Sequence, residues 1–118
     1  MDTRHEKRIE IVQNLFAYEF TPQTTERFAN TEETSQKVIS HLPDIDKTIA
    51  SLAVKFPIEK IAKIDLAILR LAVFELQIEP KEPKKVVINE AVELAKELGG
   101  EKSYSFINGV LGKLITKP

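Results

Sequence analysis

The chain has 118 residues, of which 42% are hydrophobic and 30% charged, a composition typical of one folded domain rather than a disordered chain. It has no cysteine, which excludes disulfides and thiolate metal sites. Lys and Arg number 17 against 18 Asp and Glu, so bulk charge does not attract nucleic acid, and any such binding needs a local patch.

The first predicted helix spans residues 2–20. Its apolar stripe, at helical spacing, consists of Ile9, Val12, Phe16 and Phe20. Arg4 and Arg8 are four residues apart and share another face, with His5 one step round. Cations at a helix N-terminus oppose the macrodipole by a few tenths of a kcal/mol. The cluster therefore hints at a use other than helix stability, and the alternative is a solvated helix end. No apolar run follows the first residues, so no signal peptide is predicted.

Two helices and a short helical turn are predicted between residues 30 and 62. Asn30 and Glu33 have the spacing of a capping box and would begin a helix that Pro43 ends. The apolar face of the next helix consists of Ile45, Ile49, Leu52 and Ala53. Pro57 suits the first turn of the short helix after it.

The most apolar stretch of the chain is Ile64–Ile78, predicted to be a central helix. Its only polar residues are Asp65, Arg70, Glu75 and Gln77. A helix that is apolar over most of its circumference belongs inside a bundle, with other helices around it. It is too short and too charged to span a membrane.

Two more helices complete the prediction. Residues 85–98 keep a 3.6-residue period, and Gly99 with Gly100 is a typical helix stop. The last helix begins near Ser103 and contains Gly109, which costs about 1 kcal/mol in a helix and is explained most simply by close helix packing. The chain is predicted to be all-α, with about seven helices in a single domain, residues 1–118.

No motif of a catalytic or cofactor site is present. Phosphate-binding glycine loops, nucleophile elbows and paired metal-binding histidines are all missing from the sequence. Glu90, Glu93 and Glu97 have the spacing of carboxylates on one helix, but they lack a histidine and are better explained as a solvated face. We therefore predict neither an enzyme nor a cofactor or metal.

The last helix carries a constellation suited to RNA. Lys102, Phe106 and Lys113 lie on neighbouring turns. An aromatic ring between lysines can stack an unpaired base while the ammonium groups bind phosphates. The alternative is that Phe106 packs on a neighbouring helix and that the lysines are solvated.

Three blocks of this sequence resemble the NusB family. They are IDLAILRLAVFEL from Ile64, PKKVVINEAVELAKELG from Pro83 and SYSFINGVLGK from Ser103, and RxxxRxxxVQxLF from Arg4 is also similar. The resemblance implies an all-helical fold of two roughly perpendicular bundles. It also implies a non-enzymatic, cytoplasmic antitermination factor that binds boxA of nascent ribosomal RNA together with NusE, a ribosomal protein, on the elongating RNA polymerase. Some members of the family form homodimers.

The resemblance also implies which residues bind RNA and which bind NusE. Its RNA-binding positions correspond to Arg4, His5, Arg8, Lys102, Ser105 and Phe106. Its NusE-binding surface corresponds to Phe16 and Asp65, for which the alternatives are core packing and helix capping. Glu6 and Ile9 stand where the family usually has basic or polar residues, and Lys102 where an acid is common, which would shift basicity towards the last helix.

Two other functions are compatible with the residues. NusB-like domains also form the RNA-binding part of ribosomal RNA cytosine methyltransferases, in which case this chain would be a fragment lacking the catalytic domain. A helical adaptor that binds proteins and no RNA is the other alternative.

Overall fold

The computed structural model describes residues 3–22 and 28–116, and their regular structure is entirely helical. The six α-helices of this part of the chain are α1 (Thr3–Phe20), α2 (Glu32–Ser40), α3 (Leu42–Leu52), α4 (Lys63–Val73), α5 (Lys84–Leu98) and α6 (Ser103–Thr116). Short 3-10 turns cover Ala29–Thr31 and Ile58–Lys60, and a π-helical segment covers Phe74–Ile78. The all-α prediction is confirmed, with six α-helices and short turns in place of about seven helices.

Helix α4 lies at the centre, as its composition predicted. Every residue from Asp65 to Val73 is buried, and α4 contacts α1, α3, α5 and α6. Its one buried cation, Arg70, donates to Asp46 on α3 and to Glu19 on α1 at 2.8–2.9 Å, so the charge is paired on both sides. No helix in the described residues is both long and apolar enough to cross a membrane.

The end of the central segment differs from the prediction of one uninterrupted α-helix. After Val73 the chain forms a π-helix, with the Glu79 N–H bonded to the Phe74 carbonyl at 2.9 Å. A π segment widens the helix by one residue per turn and occurs often beside functional positions. Here the π segment carries Glu75, which forms an ion pair with Arg8 of α1.

The boundary between α2 and α3 also differs from the prediction. Helix α2 begins at Glu32 rather than Asn30, because residues 29–31 form the 3-10 turn. It ends at Ser40, and Pro43 lies in the first turn of α3 instead of ending α2. Proline is tolerated there because N–H groups in the first turn have no intrahelical acceptor.

A buried polar network connects α1 to the start of α2. The Asn14 side-chain amide donates to the Phe28 carbonyl, Thr31 Oγ1 and Ser35 Oγ, and its oxygen accepts from the Phe28 N–H. Asn14 and Ser35 are fully buried. These hydrogen bonds satisfy groups that would otherwise be costly to bury.

Helices α5 and α6 form the most extensive helix pair, and Gly99 makes the tight turn between them possible. A Cβ atom at Gly99 would lie 2.5 Å from Ser103 Oγ and 2.8 Å from the Ala95 carbonyl oxygen. The explanation predicted for Gly109 is wrong: a Cβ atom there would meet nothing within 4 Å, because this glycine faces an open depression.

Candidate nucleic-acid interface

Arg8, predicted to bind RNA, is buried in ion pairs. Its side chain is only 9% exposed and donates through Nε and Nη2 to the two carboxylate oxygens of Glu75 at 2.9 and 2.7 Å. Nη2 also donates to Glu82, and Nη1 lies 3.9 Å from Glu90. The hydrogen bonds that Arg8 donates to Glu75 raise the pKa of Arg8 above its usual range, against the opposing effect of burial. Arg8 therefore joins α1 to the π segment and α5.

His5 is held between two carboxylates of α5. Its Nδ1 lies 2.7 Å from Glu90 and its Nε2 lies 2.7 Å from Glu97. Both ring nitrogens face acceptors, so the doubly protonated imidazolium, which donates from both, is favoured. The hydrogen bond with Glu90 and, to a smaller extent, the one with Glu97 raise the pKa of His5 above its ordinary value. These glutamates, predicted to be a solvated face, are thus partners of α1.

Arg4 is the most accessible cation of the α1 cluster. Its side chain is 71% exposed, and Nη1 donates to Glu82 at 2.8 Å. The cluster of Arg4, His5 and Arg8 is consequently surrounded by four carboxylates, from Glu75, Glu82, Glu90 and Glu97. Because these contacts join residues 67 to 92 positions apart, no local sequence pattern announces them.

The α6 positions form a separate site. Lys102, Ser105 and Phe106 line one groove with a volume of about 730 Å³, which Phe56 and Lys60 also line. Lys102 and Ser105 are exposed and Phe106 is half-buried. Within the described residues the side chain of Lys102 makes no ion pair or hydrogen bond, in contrast to the cations of α1. We call this the α6 groove.

Lys113, the third member of the sequence constellation, lies beside the α6 groove rather than in it. Its Nζ donates to the Leu52 carbonyl at 2.7 Å, which satisfies a carbonyl at the C-terminus of α3. Phe106 packs against the core, as the alternative considered from the sequence expected, and it also lines the groove, so base stacking by this ring stays a prediction.

The two predicted NusE-binding residues occupy different environments. Phe16 is half-buried and packs edge-to-face on Phe20 at a centroid distance of 5.0 Å, and Phe20 is 62% exposed. Asp65 is 8% exposed and lines the α6 groove. Its Oδ1 is buried and has no hydrogen-bond partner among the described residues, which is unusual for a buried carboxylate.

Six of the eight predicted site residues thus line two separate depressions, and His5 and Phe16 line neither. Lys102, Ser105, Phe106 and Asp65 line the α6 groove. Arg4 and Arg8 line a different depression of about 410 Å³, beside α1 and the π segment. The groove also contains Phe56 and Lys60, which the sequence reasoning missed because both are distant in sequence from the residues of α6. Among the described residues no group of His, Asp and Glu could hold a metal ion.

Comparisons with known proteins agree on one family. The model of the NusB family matches residues 2–116. Transcription antitermination protein NusB of Lysinibacillus sphaericus is 38% identical over 120 residues, covering 93% of this chain and 94% of the relative. The solved structure of T. maritima NusB has a TM-score of 0.83 at 29% identity and covers 98% of this chain and 92% of that one. A crystal structure of antitermination factors NusB and NusE with double-stranded RNA has a TM-score of 0.76 at 21% identity over 96% of this chain and 97% of that one, a likeness of fold.

Proposed function

The chain belongs to the NusB family, and from this premise we propose that it is a transcription antitermination factor. In this proposal it binds the boxA element of nascent ribosomal RNA together with NusE. It acts as a non-enzymatic cytoplasmic scaffold on the elongating RNA polymerase. The relatives that support this are named for antitermination, and one structure of the same fold contains NusE and RNA.

The α6 groove is the observation that carries RNA binding. Lys102 is an exposed cation without an ion-pair partner in the described part of the chain, and it lines the same groove as the half-buried ring of Phe106. A phosphate can bind the ammonium group without displacing a carboxylate, while a base stacks on the ring. The same groove presents Ser105, whose hydroxyl can donate to or accept from a sugar or base.

The α1 cluster contributes less to RNA binding in this proposal. A phosphate contact by Arg8 requires that RNA displaces Glu75 or Glu82, whereas the side chain of Arg4 is 71% exposed and a phosphate can approach it from solvent. Each phosphate contact adds about −0.7 to the slope of log K against log salt for single-stranded RNA. Contacts from Arg4 and Lys102 alone give a slope of about −1.4, and a third contact from Arg8 gives about −2.

NusE supplies the remaining surface in this proposal. The exposed ring of Phe20 beside Phe16 offers an apolar contact on α1. Asp65 is the second proposed contact, and because its Oδ1 is buried and lacks a partner among the described residues, a donor of NusE would have to enter the α6 groove to reach it. A homodimer would compete with NusE if it used the same surface of α1.

The test is binding of boxA RNA by the chain after co-purification with NusE. We expect a fluorescence anisotropy titration to give binding that weakens with salt. Phe106→Ala should weaken binding by about 1–3 kcal/mol, the range for loss of one stacked base. Tyr104→Ala, an exposed aromatic of the same helix that does not line the groove, is the matched control. Absence of RNA binding by the NusE complex at low salt would refute the proposed function.

A further inference from the structure

Phe56 is an exposed aromatic side chain that neither the sequence motifs nor the comparisons assign to a function. It lies between α3 and the 3-10 turn Ile58–Lys60 and is 47% exposed. Its ring packs edge-to-face on Phe106 at a centroid distance of 5.3 Å and an interplanar angle of 82°. Because an edge-to-face contact covers one face of one ring only, neither ring is fully occupied by the other.

The Phe56–Phe106 pair stands between two depressions along α6. One is the α6 groove of about 730 Å³, and the other has about 250 Å³ and continues along α6 past Gly109. Both depressions are lined by Phe56, Ser105 and Phe106. The absence of a side chain at Gly109 keeps the second one open. A strand lying along α6 would therefore cross both rings.

Lysines line both depressions. Lys60 and Lys102 line the α6 groove, and Lys55 and Lys113 line the smaller depression. Lys113 is hydrogen-bonded to the main chain, whereas the other three are exposed and make no ion pair within the described residues. Among the residues that the structure describes, Asp65 has the only carboxylate lining either depression, and it is buried below the surface. This combination of open aromatic faces and unpaired cations suits a polyanion with flat bases.

We propose that Phe56 is a second base-stacking residue and that Lys55 and Lys60 bind the phosphates beside it. An unpaired RNA strand then follows α6, with neighbouring bases on Phe106 and Phe56. This inference rests on the RNA binding proposed above and adds residues to that site. Bases stacked inside a duplex cannot offer their faces to a side chain, so the site selects unpaired RNA.

The first test measures binding of boxA RNA to the complex of the full chain with NusE. Phe56→Leu keeps an apolar group against Phe106 but removes the aromatic face. Loss of one stacked base corresponds to about a 5- to 150-fold rise in Kd, and we expect a rise of at least 5-fold. Lys60→Gln should make the salt slope less steep by about 0.7. Tyr104→Leu and Lys47→Gln are matched controls, because both residues are exposed and neither lines the two depressions.

The second test identifies the base that contacts each ring. Single abasic nucleotides are introduced at successive positions of boxA RNA and combined with Phe56→Leu or Phe106→Leu. We expect Phe56→Leu to have no further effect when one particular base is missing, and this position should neighbour the one that behaves so with Phe106→Leu. Such non-additivity reports direct contact.

Three results would overturn the inference, and they are distinguishable. If Phe106→Leu weakens RNA binding and Phe56→Leu does not, the stacking role of Phe56 is refuted while the proposed function stands. If Phe56→Leu weakens the binding of NusE in the absence of RNA, the surface is a protein interface. If the wild-type complex binds no boxA RNA, both the inference and the proposed function fail.

Discussion

Replacement of Arg8 separates a structural role from direct RNA binding. Arg8→Ala leaves the carboxylate of Glu75 without its cation and leaves Glu82 paired with Arg4 alone, in a site where the side chain of Arg8 was 9% exposed. Breaking a fully buried pair costs about 3–5 kcal/mol. The two glutamates are 20% and 18% exposed and can be partly hydrated, so we expect a loss of about 2–3 kcal/mol in the free energy of unfolding.

Thermal unfolding followed by circular dichroism measures this loss. For a chain of 118 residues the entropy of unfolding makes 1 kcal/mol equivalent to about 4 °C, so Tm should fall by about 8–12 °C. Arg4→Ala is the control, because its side chain is 71% exposed and Tm should fall by no more than about 2 °C. A Tm for Arg8→Ala within about 2 °C of wild type would refute the structural role. Arg8→Ala combined with Glu75→Gln should recover part of the loss, because one unpaired charge is removed.

Three further predictions concern stability. The pKa of His5 is raised in the folded state, so its ion pairs with α5 contribute fully to stability below the unfolded pKa near 6.5, and this contribution is lost as pH rises through the folded pKa. Tm measured from pH 5 to 9 should therefore fall less across that window in His5→Gln than in wild type. Equal profiles for the two proteins would contradict this. Gly99→Ala should lower the free energy of unfolding by about 1–3 kcal/mol, because its Cβ would overlap Ser103. Gly109→Ala should raise it by about 0.5–1 kcal/mol, because the new methyl group meets nothing. Urea unfolding of the two variants tests the direction of each change. Asn14→Ala should lower stability by about 2–3 kcal/mol in the same assay, because several buried groups lose their partner, and a loss below about 0.5 kcal/mol would show that water replaces the amide.

Apolar periodicity predicted most of the fold because it reports burial directly. Ile64–Ile78 lacks a polar face, and a segment without one has to be enclosed, so its central position followed from composition alone. Its change to a π-helix at Phe74 did not follow, since the hydrophobic pattern of a few residues does not distinguish the two helix types. The prediction that Pro43 ends α2 was wrong because proline is compatible both with the end of one helix and with the first turn of the next.

The site was less predictable than the fold because pairing between distant residues decides it. Sequence spacing put Arg4, His5 and Arg8 on one helix, but it could not reveal the glutamates that neutralise them. Spacing did place Lys102 and Phe106 together correctly, since both belong to the start of α6. The sequence could not identify Phe56 as a partner of Phe106, because fifty positions separate the two residues.

The distribution of charge makes the proposed binding of a polyanion compatible with a net charge of −1. Carboxylates from α5 and the π segment neutralise the cations of α1, and this pairing holds α1 in place. Within the described residues Lys55, Lys60 and Lys102, beside the Phe56–Phe106 pair, have no such carboxylates, and their hydrated ammonium groups can exchange water for phosphate without breaking an ion pair of the fold. If the chain binds RNA as proposed, its affinity should then depend on α6 more than on α1. Substitutions on α1 should therefore change mainly the stability of the fold, whereas substitutions along α6 should change mainly the binding of RNA.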